Sequence, residues 1–380
     1  RHFDVTGNED PDDGAEPHPL TGRKFIDSKF SSSIAHLGGN KRSAVCAYWG
    51  SGWGATQQKN LACTLANYAY GLNFYNNHCA LYTTLGGWYE WVPPAIHFRQ
   101  PYWQYWGDFA AWVRRLSCLM SQGAHVAHVA VFYPLTTMHA GWAGSDNFSA
   151  AAREAGEKVM RLAKVIYRSG IDFDFIDDTF LAEAVISGGE LTIAGHAFRA
   201  VVLPPLTTIR RDTLEKLRAF QKAGGTVLAF GRLPDASPEF GRGDPVVCSL
   251  VGEMFGGARE VFIPSDEMRV PAILATAIAP DVTVSTPDVY HCHRQAGEVD
   301  IVLLVNTRPE SLRVTVSVRA DGQPERWDPF TGAAHPIDEY EITDGMITVH
   351  LDMAAYQGLV LAVSPSRERR IERVIENTDG

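Results

Sequence analysis

The chain has 380 residues, a net charge of −10 at pH 7 and 45% hydrophobic residues. That length provides for two or three domains with substantial cores, while the acidic balance and the absence of a Lys/Arg-rich run exclude nucleic acid and anionic membranes as partners, because such binding relies on phosphate neutralisation. No apolar run approaches the roughly 20 residues that span a bilayer and no leader pattern stands at the start, so the chain reads as soluble as given; it begins at Arg1 rather than Met, which leaves an earlier segment and the compartment open.

Residues 1–28 are rich in Asp, Glu, Gly and Pro and lack apolar periodicity, and they read as an acidic loop or arm. Glu9, Asp10, Asp12 and Asp13 invite comparison with a calcium loop, but their spacing does not match the EF-hand pattern and Pro11 interrupts them. The next segment, 29–123, alternates strand-like and helix-like stretches. "SAVCAYW" (43–49) predicts a short buried strand that runs into the glycine-rich, aromatic loop "GSGWG". "TQQKNLACTLANYAYG" places Leu61, Leu65 and Tyr68 on one helical face and stops at Gly71. "LNFYNNHCALY" predicts a second strand, and "YWQYWGDFAAWVRRLSCLMSQG" a second amphipathic helix with Trp106 and Trp112 in its core face. Two strand-helix units in succession indicate a parallel α/β arrangement but are too few to close an eightfold barrel, which takes about 250 residues.

Over 124–240, apolar strands ("HVAVFYP", "IDFDFID", "RAVVLPPL", "GTVLAFGRLP") alternate with helices, the pattern of an open, doubly wound sheet. Its first loop, "YPLTTMHAGWAGSDN", lacks the dinucleotide and Walker patterns, and Pro204-Pro205 stands where an amidotransferase would carry its nucleophilic cysteine. This domain is therefore read as structural or site-flanking. Asp172 and Asp174 alternate with Phe173 and Phe175 along a strand, and Asp177 and Asp178 fall at its end; the cluster reads as caps for the next segment, with a metal or catalytic pair as the alternative. Residues 241–365 begin with a mixed stretch, unassigned to about 285, and continue with period-two strands ("VDIVLLVNT", "LRVTVSVRA", "PERWDPFTG", "MITVHLDMA", "QGLVLAVSP") that predict a β-sandwich. The charged tail 366–380 reads as an exposed helix or frayed end.

Seven of the nine tryptophans lie between 43 and 113. Rings of this kind beside Asn, Gln and His suit sugars, stacking on pyranose faces while polar neighbours read the hydroxyls. Tyr48, Trp49, Trp53, Asn73, His78, Tyr82 and Trp88 are the candidate substrate contacts, since parallel α/β folds place their sites where strands end and loops begin. Between Ser28 and Gly107 the only acidic residue is Glu90, in "GGWYEWVPP". Its aromatic surroundings would raise its pKa by desolvation and fit it for general acid catalysis, and the second carboxylate that glycoside hydrolysis requires must come from elsewhere. The six scattered cysteines (46, 63, 79, 118, 248 and 292) form no CxxC pair and read mostly as buried thiols. Neither a metal-ligand motif nor a cofactor fingerprint is evident.

The order of "SSSIAHLGGNKRSAVCAYWGSGWG", "YGLNFYNNHCALY", "VPPAIHFRQPYWQYWGDFAAWVRRLSCLMSQGAHVAHVAVFYP", "GIDFDFIDD", "VVLPPL", "AGGTVLAFGRLP" and "ERWDPFTGAAHPI" resembles the C-terminal part of glycoside hydrolase family 106, bacterial α-L-rhamnosidases, over about 28–362. The resemblance implies the last units of a (β/α)8 barrel, then a flavodoxin-like or amidotransferase-like domain without its own catalysis, then a β-sandwich. It also implies an exo-acting hydrolase of a terminal deoxysugar, calcium in the site, and an N-terminal remainder that supplies the other barrel strands. Relatives carry a glutamate where this chain has Cys46. Three readings are open: a rhamnosidase-like hydrolase within a longer enzyme, a catalytically silent carbohydrate-binding homologue that lacks the acid at Cys46, or an accessory part completed by another chain. Nucleophilic catalysis by Cys46 would need a nearby cation to lower its pKa, and only the distant Arg42 shares its strand face.

Overall fold

A computed structural model describes residues 4–9, 24–48, 52–80, 96, 98–145, 147–257, 261–365 and 374–375. The chain divides into two units, one built from Arg1–Val126 with Asp281–Gly380 and the other from Ala127–Pro280.

The first unit opens on a parallel sheet of three strands, β1 (Thr6–Glu9), β2 (Ser43–Ala47) and β3 (Phe74–Asn77), in that order. Helix α1 (Lys24–Leu37) joins β1 to β2, α2 (Gln57–Ala69) joins β2 to β3, and α3 (Trp106–Met120) comes after β3. The expected acidic arm at 1–28 is thus corrected at both ends: Thr6–Glu9 form a strand and residues 24–28 begin a helix. Alternation along β2 turns Ser43, Val45 and Ala47 inward and leaves Ala44 and Cys46 half-buried on the opposite face. α1 and α2 cover the inward side: Thr6 Oγ1 donates to the Ser31 carbonyl at 2.9 Å and Tyr75 Oη to the Thr64 carbonyl at 2.8 Å. The helices meet through Ser28 Oγ on Asn67 Oδ1 and Ser32 Oγ on the Tyr70 carbonyl. Gly71 comes next at φ +93°, and a Cβ there would stand 2.9 Å from that of Ser32, so glycine is required to turn from α2 into β3. On α3, Phe109, Trp112, Leu116 and Met120 form the buried stripe.

β4 (Ala124–His125) leaves α3 and pairs with Arg294 and Gln295, far along the chain. The second unit contains β5 (Val129–Phe132), α4 (Leu135–Ala140), α5 (Ala150–Arg168), β6 (Phe173–Ile176), α6 (Asp178–Glu183), the meander β7 (Val185–Ser187), β8 (Glu190–Ile193) and β9 (His196–Phe198), and then β10 (Ala200–Leu203), α7 (Arg211–Lys222) and β11 (Thr226–Phe230). The hairpin β12 (Ala236–Ser237) and β13 (Gly241–Arg242), α8 (Pro245–Phe255), β14 (Phe262–Ile263) and α9 (Arg269–Ala277) complete it. The stretch from 241 to 280, unassigned by its patterning and grouped with the later strands, therefore belongs with this unit. Five parallel strands lie in the order β14-β11-β10-β5-β6, and β5, β6 and β10 are buried along their whole length, as parallel strands covered on both faces are.

The strand order reverses between β5 and β10, where open α/β sheets commonly leave a crevice. Here Thr137 of α4 binds the segment after β10: its hydroxyl donates to the Thr208 carbonyl at 2.8 Å and accepts from the amides of Thr207 and Thr208. Thr137→Val is expected to cost about 1–3 kcal/mol, because buried backbone groups lose their partner; a urea melt of the variant checks this. At the end of β6, Asp177 caps α6 through the amides of Thr179 and Phe180, and Asp178 accepts from Thr136 and Thr213 at 2.6 Å each. Asp244, inaccessible to solvent, caps α8 while receiving a two-point bond from Arg211 and one from Ser237. The Arg211 guanidinium, more than the other donors, holds its carboxyl far below the usual range against the opposing effect of desolvation.

The first unit resumes with β15 (Val282–Val284), β16 (Val289–Ala296), β17 (Val299–Asn306), β18 (Leu312–Arg319), β19 (Gln323–Trp327), β20 (Ala334–Pro336), β21 (Tyr340–Thr343), β22 (Met346–Met353), β23 (Gly358–Ser364) and β24 (Val374–Ile375). They form two sheets, β15-β18-β22-β21-β24 and β20-β19-β23-β17-β16-β4. Alternate residues of both, among them Val302, Leu304, Val316, Val349 and Leu361, meet in one apolar core. Within the tail read as an exposed helix or frayed end, Val374–Ile375 pair with β21. Arg294 of β16 donates to the carbonyls of Gln122 and Gly123, and a Cβ at Gly123 would lie 1.9 Å from the Gln295 carbonyl oxygen. That close approach joins the end of α3 to the antiparallel sheet.

Candidate active site

The half of the β1-β2-β3 sheet turned away from α1 and α2 carries Ala44 and Cys46 from β2 and Phe74 and Asn76 from β3, in lateral register. Phe74 is 40% exposed and Asn76 is also exposed. At the carboxyl end of the sheet, Glu9, Cys46 and Asn76 stand at one level across three adjacent strands. A carboxylate-bearing residue thus occupies the strand next to Cys46, a position that the loop-like composition of residues 1–28 conceals.

The proposed sugar contacts separate into distinct groups. Trp49, Tyr82, Trp88 and Glu90 lie outside the described residues. Tyr48, at φ +70°, is buried; its hydroxyl pairs with Thr64 Oγ1 at 2.6 Å and its ring packs near Trp106 and Phe109. Asn73 is also internal: its carbonyl accepts from the Ser43 amide, and its amide donates to the carbonyls of Lys41 and Met120. These bonds hold β2, β3 and α3 together and leave Asn73 little capacity for a ligand, whereas Asn76 faces outward. His78 comes directly after β3, half-buried, with its amide on the Ala47 carbonyl at 3.0 Å and Nδ1 without a hydrogen-bond partner among the described residues. Trp53, in the loop after β2, is 43% exposed, and Phe98, Trp103 and Tyr105, before α3, also present rings to solvent. Of the expected contacts, His78 and Trp53 are therefore accessible at strand ends.

Arg42, just before β2, lies over the Phe74 ring at 5.4 Å. Beside the sheet, a cavity of about 480 Å³ runs between β3 and α3, lined by Phe74, Asn77, Trp106, Val113 and Arg114 among others. β3 pairs only with β2 among the described strands. Its other edge has no strand partner among the described residues.

The sequence also matches a family model described as alpha-L-rhamnosidase, over residues 20–342. The chain belongs to this family. A rhamnosidase from Novosphingobium sp. PP1Y shares its fold with a TM-score of 0.75 at 21% identity, over 100% of this chain and 36% of that one. A cold-adapted β-galactosidase from Rahnella sp. R3 aligns with a TM-score of 0.62 at 11% identity, covering 94% of this chain and 60% of its own. An α-L-fucosidase isoenzyme from Paenibacillus thiaminolyticus gives 0.57 at 11%, with coverages of 92% and 64%. At such identities the likeness is one of fold, a mixed α/β architecture with several sheets shared by glycosidases. No curated protein matches the chain. No helix among the described residues is long and apolar enough to cross a membrane.

The family resemblance brings calcium with it as an expectation, and a hard cation collects about six to eight oxygen ligands. Among the described residues, the carboxyl end of this sheet offers the Asn76 amide and the Glu9 position, which fall short of such a shell. No step is assigned to a metal.

Proposed function

We infer that the chain is the C-terminal third of an α-L-rhamnosidase-type glycoside hydrolase and that β1, β2 and β3 are consecutive strands of its (β/α)8 barrel. The flavodoxin-like parallel unit and the β-sandwich serve as its framework. The observation that carries this reading is the three-stranded parallel sheet with helices on one face and Cys46 and Asn76 on the other, with Glu9 paired to Cys46 at the same level of the carboxyl end. Barrel enzymes place their chemistry at that end. The edge of β3 that has no strand partner among the described residues accommodates a strand of the N-terminal remainder.

Family membership supports a terminal deoxysugar as substrate. In this reading, exposed rings such as Trp53 stack on its apolar face, and Asn76 and His78 read its hydroxyls. Glu90, set between Tyr89 and Trp91, takes the general acid role and protonates the departing glycosidic oxygen. Glu9 is the second carboxylate and acts from the other side of the anomeric carbon, either on a water or directly; the separation of the two carboxyl groups decides which. The glutamate expected at Cys46 is then supplied one strand away, so Cys46 is compatible with an active enzyme.

The test is hydrolysis of 4-nitrophenyl α-L-rhamnopyranoside by the native polypeptide that carries this chain. The reading expects release of 4-nitrophenol together with free L-rhamnose. Saturable binding of the glycoside without turnover would favour the silent homologue instead.

A further inference from the structure

The parallel unit contains a crevice that the rhamnosidase reading does not use. It lies outside the carboxyl ends of β10, β11 and β14, where Pro205, Gly231 and Pro264 come after the strands, and has a volume of about 490 Å³. That size falls within the range of small-molecule sites, roughly 300–1,000 Å³, and the position is one at which open α/β sheets receive ligands. At the switch point between β5 and β10, by contrast, the Thr137 hydroxyl is bonded to the backbone of Thr207 and Thr208.

Glu154, Lys158 and Arg161 project from one face of α5, at i, i+4 and i+7, and Arg232, Asp266 and Glu267 face them from the strand ends. Three cations and three carboxylates thus line one cavity, and their charges cancel. Such a site gives little net field to attract an ion of either sign, but offers donors and acceptors side by side. Glu267, buried and ion-paired with Arg161, is fixed in place. Lys158 Nζ stands 5.9 Å from the centroid of the Phe230 ring, and no carboxylate within salt-bridge distance of it is found among the described residues. Pro205, Phe230 and Pro264 provide an apolar floor, and the 67% exposed Met268 an apolar rim.

The geometry points to a second ligand site here, for a neutral polyhydroxylated molecule the size of a mono- or disaccharide. Each hydroxyl both donates and accepts, so adjacent hydroxyls can satisfy Lys158 or Arg232 and Asp266 together, through charge-assisted hydrogen bonds, while the C–H face rests on the proline and phenylalanine floor. The ligand class comes from the charge balance of the crevice and not from the reaction inferred above.

Isothermal titration of the full chain with methyl α-L-rhamnopyranoside, and separately with sodium acetate, tests this. The titrations use a Trp53→Ala background, which weakens the barrel face, so that remaining binding reports on the crevice. The expected result is saturable binding of the glycoside that Lys158→Ala and Asp266→Asn each weaken roughly tenfold, with unchanged circular dichroism and no acetate binding. Absence of saturable glycoside binding, binding indifferent to both crevice substitutions, or acetate binding in place of the sugar would overturn the proposal. Hydrolysis of the aryl glycoside is read separately, so loss of turnover counts against the barrel reading and not against the crevice.

Discussion

Glu9→Gln is expected to lower kcat for 4-nitrophenyl α-L-rhamnopyranoside by about 10³-fold in the native polypeptide, with KM little changed, because a positioned carboxylate is typically worth about 10²–10⁴ in rate. The isosteric amide cannot take a proton from water or attack the anomeric carbon, yet keeps the shape of the residue. The expectation rests on register: Glu9 closes β1 at the level of Cys46 and Asn76. Steady-state kinetics of the variant beside Cys46→Ser separates two accounts. If the carboxylate is supplied from β1, Cys46→Ser leaves turnover within a few-fold of wild type. If the thiol takes part, that substitution removes it.

The second large effect concerns stability. His293 of β16 is 3% exposed and lies between two carboxylates, Nδ1 at 2.6 Å from Asp281 and Nε2 at 2.9 Å from Asp300. Burial alone would favour the neutral ring, but the bonds to Asp281 and then Asp300 override it and raise the pKa to about 9. The imidazolium donates from both nitrogens and the carboxylates accept. Since the folded pKa exceeds the unfolded value of about 6.5, the stabilisation is complete below pH 6.5 and is lost as pH rises through about 9, amounting to about 3 kcal/mol across that interval. His293→Ala leaves two carboxylates facing each other without their cation and is expected to cost about 3–5 kcal/mol near pH 6. Guanidinium melts at pH 6 and pH 9.5 check both statements: wild type loses stability at the higher pH, and the variant shows a much smaller difference between the two.

Helical spacing located what packing determines locally. Leu65 and Tyr68 of α2 and Trp112 of α3 are fully buried, as their positions on an apolar face require, and the apolar runs of β5, β10 and β11 are strands of one sheet. β1 was not legible, because "TGNE" has two residues poorly suited to strands and only four positions, and its pairing with β2 crosses the acidic segment and α1. The neighbouring acidic residues made the whole segment look solvated. The run "LNFYNN" carries three asparagines around one strand start, and its pattern does not separate the one before the first paired residue from those within the strand. The strand begins at Phe74, which turns Asn76 outward and leaves Asn73 tying together the backbones around it. Tyr48 was drawn into the aromatic loop by its neighbours, yet its left-handed backbone directs the hydroxyl onto Thr64. The triad Asp281–His293–Asp300, centred on a buried histidine, joins residues with no shared motif, and the pairing of β16 with β17 brings His293 and Asp300 together.

The most direct test of the barrel reading is a crystal structure of the native polypeptide with L-rhamnose bound. The sugar is predicted to sit over the carboxyl ends of β1, β2 and β3, with its anomeric carbon facing the Glu9 carboxylate, at about 3 Å if that group is the nucleophile or through one water if it is the base, and with Cys46 and Asn76 beside it. A rhamnose bound at the catalytic centre with Glu9 remote from C1, or a barrel that excludes these three strands, would contradict it.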